Sequence, residues 1–327
     1  MSSPRVGVLL PTFDATHRSL TPPVLEGARL IEAAGFDGAW VGDHLACPSP
    51  LLDAVTCLGA AAAVTQRITL GFSVLLLGLR PPAWTAKCLV TLDALAPGGR
   101  LALGVGVGGE FPEEFAAAGV PLARRGRRVD EILEALPDLL CGRPVSYHGS
   151  VLELEVHGPH TPERGLSPAI SQLPPVYVGG RGEAALARAA RHADFWMPMW
   201  LSPDSITRRV ERLGELAERA GRPTPALATL VLVHADADRA RGRRAAEAHL
   251  RGQYGMGLDR VEHWTGLGDA AAIAEQLTGY LDAGVREFVL MPLGADPLGQ
   301  IEALADVADR LRAHGVQPQT ATATATP

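Results

Sequence analysis

Apolar positions along the chain fall into short continuous runs, separated by longer stretches in which they recur every three or four residues. The short runs predict strands, and the longer stretches predict amphipathic helices. Strands are expected at Arg5–Leu10, Gly38–Val41, Arg67–Leu77 and Leu101–Val107. Helices are expected between and after them at Pro22–Ala34, Asp53–Thr65, Pro82–Leu95 and Gly126–Leu140. The punctuation agrees with this pattern. Thr21 can cap the first helix and Gly35 can end it, Pro82 suits a first turn, and Pro137 is placed to disturb the last turn of its helix. The centre of Arg67–Leu77 is wholly apolar, as in a strand buried on both faces.

The rhythm then changes. Arg143–Glu155 alternates around Tyr147–Gly149 and predicts a β-hairpin, and His157–Pro175 is rich in Pro, Gly and Ser. The alternation resumes with strands at Val176–Val178, Phe195–Met197, Ala226–Val233 and Glu287–Met291. Helices are expected at Glu183–Arg191, Pro203–Ala220, onward to about Arg251, at Asp269–Ala283 and at Pro297–His314. Eight strands alternating with helices predict an α/β chain with a parallel sheet and right-handed crossovers. That number of units in a chain of 327 residues predicts a closed (β/α)8 TIM barrel with an insertion between the fourth and fifth strands. No GxGxxG follows the first strand, which argues against a dinucleotide-binding sheet. Residues 1–316 read as a single domain, and 317–327 as a low-complexity, disordered tail.

Composition narrows the classes of function. The net charge of −6 provides no basic face for nucleic acid. The run Arg124, Arg125, Arg127 and Arg128 is followed by Asp130, Glu131 and Glu134, and reads as the start of a salt-bridged helix. The N-terminus reads as a strand rather than a signal peptide, and no apolar run has the length of about 18 residues that a membrane helix needs. The four cysteines lack CxxC spacing and read as reduced thiols of a cytoplasmic protein. The ten histidines form no metal-ligating pattern, and there is no GxSxG or Walker sequence. A bound organic cofactor is therefore the expected source of chemistry.

In a barrel the active site lies on the loops after the strands, and four segments fall there. Asp43-His44 ends the second strand: His44 suits an acid, base or charge stabiliser and Asp43 an orienting group, although the pair also suits a plain Asx turn. Gly71-Phe72-Ser73-Val74 in the third strand suggests either a bulge against a ligand or a packing kink. Gly104 to Gly109, with Gly106, Val107 and Gly108 at its centre, lets a flat ligand lie on bare backbone. Glu110 follows it as a proton donor or a surface carboxylate. Val178-Gly179-Gly180-Arg181 precedes a helix and is the best phosphate candidate.

Taken in order, "EAAGFDGAWVGDH", "RITLGFSVLLLGLRPPAWTAKCLVTLDALAPGGRLALGVGVGG", "RRGRRVDEILEAL" and "PPVYVGGRGEAALARAARHADFWMP" resemble the luciferase-like monooxygenase superfamily from Val6 to about Ala313. That superfamily comprises bacterial luciferases, FMN-dependent monooxygenases and enzymes of the deazaflavin coenzyme F420. The "LRPP" and "RRGRRVDE" patterns are similar to its deazaflavin-dependent branch. The chain departs from the family pattern at Ala96-Pro97, where a Ser is usual, and at Gly108-Gly109.

The resemblance implies roles. It places Asp43 and His44 beside the cofactor ring. It places a non-prolyl cis peptide at Ser73–Val74 with Phe72 adjacent, and the cofactor phosphate at Gly179, Gly180 and Arg181. Glu110 matches the family's acid, and Trp196 is expected to line the pocket. The implied reaction is hydride transfer between coenzyme F420 and a small organic substrate, with His44 or Glu110 moving a proton. Two alternatives stay open: a monooxygenase that uses reduced FMN, oxygen and a separate flavin reductase, and a flavin-binding protein without turnover. The segments at about His157–Ser171 and Gln253–Trp264 are expected to shape the substrate site, and the family implies a homodimer.

Overall fold

The computed structural model describes residues 3–13 and 23–316. Thr21, proposed as a cap, and the tail 317–327 lie outside the described residues. The first half runs β1 (Arg5–Leu9), α1 (Val24–Ala33), β2 (Gly38–Val41), α2 (Ala54–Ala62), β3 (Thr69–Phe72), β4 (Leu75–Leu76), α3 (Pro82–Leu95) and β5 (Leu101–Gly106). Next come α4 (Pro112–Ala117), α5 (Arg125–Leu140) and the antiparallel hairpin β6 (Val145–His148) and β7 (Glu153–Val156). The second half runs β8 (Val176–Gly179), α6 (Glu183–His192), β9 (Phe195–Met197), α7 (Pro203–Arg219), β10 (Ala226–Ala235), α8 (Arg239–Tyr254), β11 (Thr265–Gly268), α9 (Ala270–Asp282), β12 (Glu287–Pro292) and α10 (Pro297–Val316).

The strands β1, β2, β3, β5, β8, β9, β10 and β12 pair in parallel in that order, and β12 returns to β1, so the eight close into a TIM barrel. Their continuous apolar runs follow from this closure. Every residue of β12 is buried, and so is each residue of β1 after Arg5, because one face points into the barrel and the other lies under helices. Side-chain caps begin several helices: Asp53, Ser202 and Asp269 each accept the backbone N–H three residues on. Helix α5 continues through Pro137 to Leu140.

The barrel interior is closed below the site by Trp40, which meets Tyr177 edge-on at 5.2 Å; Tyr177 in turn stacks on Phe195 at 4.3 Å. A Cβ on Gly71 would sit 2.3 Å from the Trp40 indole, so glycine is what makes room for the ring. Tyr177 donates to Glu287 at 2.9 Å, and burial pushes the Glu287 carboxyl above its ordinary range.

The strand β11 and the helix α4 go beyond the sequence pattern. β11 pairs with the upper half of β10. Its sequence, TGLG, is too short and too glycine-rich to read as a strand. Residues 157–171 depart from the expected place. Gly165 and Ile170 donate to the carbonyls of Gly142 and Leu140, at the C-terminal end of α5. Helices of a barrel run back from the mouth, so this segment packs at the opposite face from the site. Among the described residues no helix is long and apolar enough to cross a membrane, and no cluster of side chains suits a metal ion.

Candidate active site

The C-terminal ends of the barrel strands open into a cavity of about 320 Å³. This volume lies in the range of small-molecule and cofactor sites. Its polar wall is built where β2 ends. Asp43 is buried and fully engaged: it accepts from the Leu76 backbone at 3.0 Å and from Arg80 Nη2 at 2.7 Å. Arg80 reaches on to Asp53, the cap of α2, at 2.9 Å. Burial pushes the Asp53 carboxyl up, but the Thr56 N–H and the Arg80 guanidinium outweigh it and hold the group below its usual range. This carboxylate–guanidinium–carboxylate bridge locks the loop that carries His44 to the third-strand segment.

His44 stands on that loop, with its ring edge against Phe111 at 5.2 Å. Its Nδ1 lies 3.2 Å from both carboxylate oxygens of Glu114, a residue of α4 with no exposed surface. Glu114 also accepts the backbone N–H groups of Leu45 at 2.6 Å and Ala46 at 3.2 Å. A carboxylate only accepts, so the Nδ1 proton belongs to this contact, and Nε2 is left with its lone pair for the cavity. Glu110 lies at the exposed rim of the same cavity.

The facing wall is glycine-rich. The peptide bond Ser73–Val74 is cis, as the family resemblance implied. Ser73 and Val74 line the cavity together with Gly106, Val107 and Gly108. A Cβ on Gly106 would lie 2.5 Å from a Val74 methyl. Gly109 turns the chain at φ +103°, and a Cβ there would lie 2.5 Å from Arg125 Nε, whose guanidinium donates to the Gly108 carbonyl at 3.1 Å. Gly179 and Gly180 complete this side, just before α6, whose cap residue Gly182 offers no side-chain bond to the helix N-terminus.

A family model described as luciferase-like monooxygenase matches residues 5–316. The chain belongs to that family. It is 35% identical over 218 residues to an uncharacterized protein of Mycobacterium tuberculosis, covering 61% of this chain and 72% of the relative. It is 29% identical over 299 residues to an F420-dependent glucose-6-phosphate dehydrogenase of Nakamurella multipartita, covering 81% and 85%. Among solved structures, an F420-dependent secondary alcohol dehydrogenase superposes with a TM-score of 0.81 at 20% identity, over 95% of this chain and 99% of that one.

In this luciferase-like chain the structure brings together most of the residues expected at the site. His44, Glu110, Asp43, Ser73 and Val74 share the cavity with the two glycine turns. Phe72 and Val178 are wholly buried behind it rather than facing it. Trp196 is also corrected: it is fully buried in β9, and its Nε1 donates to the Gly180 carbonyl at 2.8 Å, so it shapes the glycine turn from behind. Trp200 lines the cavity in its place. Arg181 stands outside the lining, its guanidinium 5.8 Å from the Trp200 ring. Residues 157–171 contribute nothing to the lining. From the 253–264 segment Gln253 and Tyr254 do, whereas Met256 and Trp264 pack beside the barrel-interior cluster. Glu114 escaped the sequence reading.

These residues suit a flat tricyclic ring. The cradle at Gly106 and Val74 is one that an added Cβ would fill, and the walls are largely apolar. Gly179, Gly180 and the uncapped start of α6 suit the cofactor phosphate.

Proposed function

We propose that the chain is an oxidoreductase that binds coenzyme F420 and transfers a hydride between it and a small organic substrate. When bound, the deazaflavin supplies the hydride chemistry. The protein supplies position and a proton path. The observation that carries this reading is the His44–Glu114 pair. A buried carboxylate fixes the imidazole tautomer and leaves Nε2 on the cavity, able to take a proton from a substrate hydroxyl or return one to a carbonyl.

Ser73, Val74 and Gly106 would support one face of the ring, and Gly179 and Gly180 its phosphate. Arg181 and Arg209 stand by the start of α6, with Arg209 Nε donating to the Arg181 carbonyl at 3.1 Å. Two guanidinium groups at that rim suit the long anionic tail that distinguishes this coenzyme from FMN. The F420-dependent relative of Nakamurella multipartita supports the same choice. Reduced FMN with oxygen is the second reading, favoured by the family's monooxygenase members.

The test is a titration with coenzyme F420 and with FMN, oxidised and reduced, followed by tryptophan fluorescence, since Trp200 lines the cavity. Selective quenching by the deazaflavin supports hydride transfer. Selective binding of reduced FMN moves the assignment to monooxygenation, and binding of neither overturns the cofactor reading.

A further inference from the structure

Across the cavity from the glycine turns lies a polar group that the cofactor reading leaves unused. Gln253, near the end of α8, lines the cavity and is only 9% exposed. Its amide orientation follows from the buried His249 beneath it. His249 Nδ1 lies 2.9 Å from the Gly294 nitrogen and 3.3 Å from its carbonyl oxygen; the shorter contact, with the Gly294 N–H donating, assigns the ring proton to Nε2, which lies 3.0 Å from Gln253 Oε1. Burial pushes His249 below its ordinary range. With its oxygen accepting from His249, Gln253 presents its NH2 group to the cavity. No side chain or carbonyl of the described residues accepts from it.

Leu9, Phe13, Leu230, Met291 and Trp200 give the cavity a largely apolar lining, and the Ser49 hydroxyl is already spent on the Gly252 carbonyl at 3.0 Å. Tyr254 adds a phenol whose contact is the Met291 sulfur at 4.0 Å. Among the described residues the lining contains no Lys or Arg, and its ionisable side chains besides Cys47 and Tyr254 are Asp43, His44 and Glu110. A phosphate dianion beside Gln253, away from the turn at Gly179 and Gly180 that is assigned to the cofactor phosphate, would lose its hydration with no guanidinium or ammonium of the described lining to meet it. A neutral molecule with an apolar body and one oxygen acceptor loses little and satisfies the buried amide.

We propose that Gln253 is the polar anchor of the substrate site, and that the substrate is a small uncharged alcohol or ketone with an apolar body rather than a phosphorylated sugar. This rests on the hydride-transfer reading above. The site thereby differs in substrate class from the glucose-6-phosphate dehydrogenase it resembles in sequence.

The experiment measures direct binding of cyclohexanone, glucose 6-phosphate and inorganic phosphate by tryptophan quenching, with and without coenzyme F420. It compares the wild type with Gln253→Glu and Gln253→Leu. Gln253→Glu keeps the acceptor for His249 and removes the donor, so it separates recognition from folding. Cyclohexanone is expected to bind and glucose 6-phosphate not to bind. Both variants should weaken the ketone about tenfold and leave the affinity for coenzyme F420 unchanged. Saturable glucose 6-phosphate binding overturns the substrate class. Ketone binding unaffected in Gln253→Glu, or a loss confined to coenzyme F420, overturns the anchor role. Ketone binding without any deazaflavin binding defeats the cofactor reading and leaves the anchor standing, so the two failures are distinguishable.

Discussion

His44 Nδ1 rests 3.2 Å from both oxygens of Glu114, a carboxylate with no exposed surface that also gathers the N–H groups of Leu45 and Ala46. Glu114 therefore does two jobs. It ties the loop after β2 to α4, and it decides which ring nitrogen carries the proton. The second job matters for chemistry, because a histidine at a reacting centre works only in the tautomer its partner dictates.

Removal of the imidazole should separate chemistry from binding. His44→Ala is expected to lower kcat by a factor of about 10² to 10⁴, the usual contribution of a positioned acid or base, with cofactor affinity changed only slightly. Steady-state kinetics beside the fluorescence titration check this. Unchanged turnover would remove His44 from the mechanism.

Glu114 is a positioning residue, and its signature differs. Glu114→Gln keeps the shape but puts an amide against Nδ1, which loosens the preference for the productive tautomer. The expected result is a fall in kcat of about 10- to 100-fold with KM and cofactor affinity nearly constant. A purely structural role would instead lower thermal stability and leave kcat per folded molecule intact.

Much of this site was legible in the sequence, and the gaps have physical causes. The alternation of buried strands and amphipathic helices is imposed by barrel closure, so the fold showed itself along the whole chain. Asp43 and His44 stand at a strand end, where local pattern marks position, and the cis bond at Ser73–Val74 was implied by the family resemblance rather than by the residues themselves. Glu114 did not show itself because α4 spans six residues, too few for a helical period, and because its value lies in a contact 70 positions away. Trp196 and Trp200 were exchanged for a related reason. Trp196 lies within the sixth barrel strand and is fully buried, whereas Trp200 lies beyond that strand's end, at φ +58°, and lines the cavity. The segment 157–171 was expected to shape the substrate site, but composition carries no information about which end of the barrel a loop occupies.

Arg80 joins two carboxylates, one of them buried, and its loss should be costly. Arg80→Met leaves Asp43 without its ion partner, and a buried charge stripped of its partner costs about 3 kcal/mol or more. Thermal unfolding is expected to show a clear drop in Tm, partly reversed in the double variant with Asp43→Asn. A change confined to the few tenths of a kcal/mol of an exposed pair would refute the locking role.

The hairpin offers a test of pH dependence with a definite sign. Glu131 accepts from the backbone of Ser150, Val151 and Leu152, and from Ser150 Oγ and Arg127. Burial alone would raise its carboxyl; the Ser150 hydroxyl, Arg127 and the backbone N–H groups outweigh it and hold the group at about 2, against an ordinary 4.5. A carboxyl depressed in the fold stabilises it fully above the ordinary value, and that contribution is lost as pH falls toward the folded value. Glu131→Gln should therefore lower stability by about 2 kcal/mol at neutral pH. The gap to the wild type should close as pH falls from about 4.5 toward about 2. Denaturant unfolding across that window measures it, and a gap independent of pH would mean that the carboxylate charge is not what holds the hairpin.

The ring cradle itself can be tested by adding one carbon. In Gly106→Ala the new methyl would fall 2.5 Å from a Val74 methyl, closer than real contacts allow, so Val74 must move. Val74 lines the cavity beside Ser73, and its displacement should reach the cofactor before it reaches the core. The expected outcome is at least a tenfold loss of deazaflavin affinity, with a modest overpacking cost of about 1 kcal/mol in stability. The companion variant, Gly106→Ala with Val74→Ala, removes the clash and should recover most of the affinity. Recovery would tie the loss to the shape of the cradle. Equal binding in wild type and Gly106→Ala would mean that the ring does not rest against Val74, and the orientation of the cofactor in the barrel would have to be drawn differently.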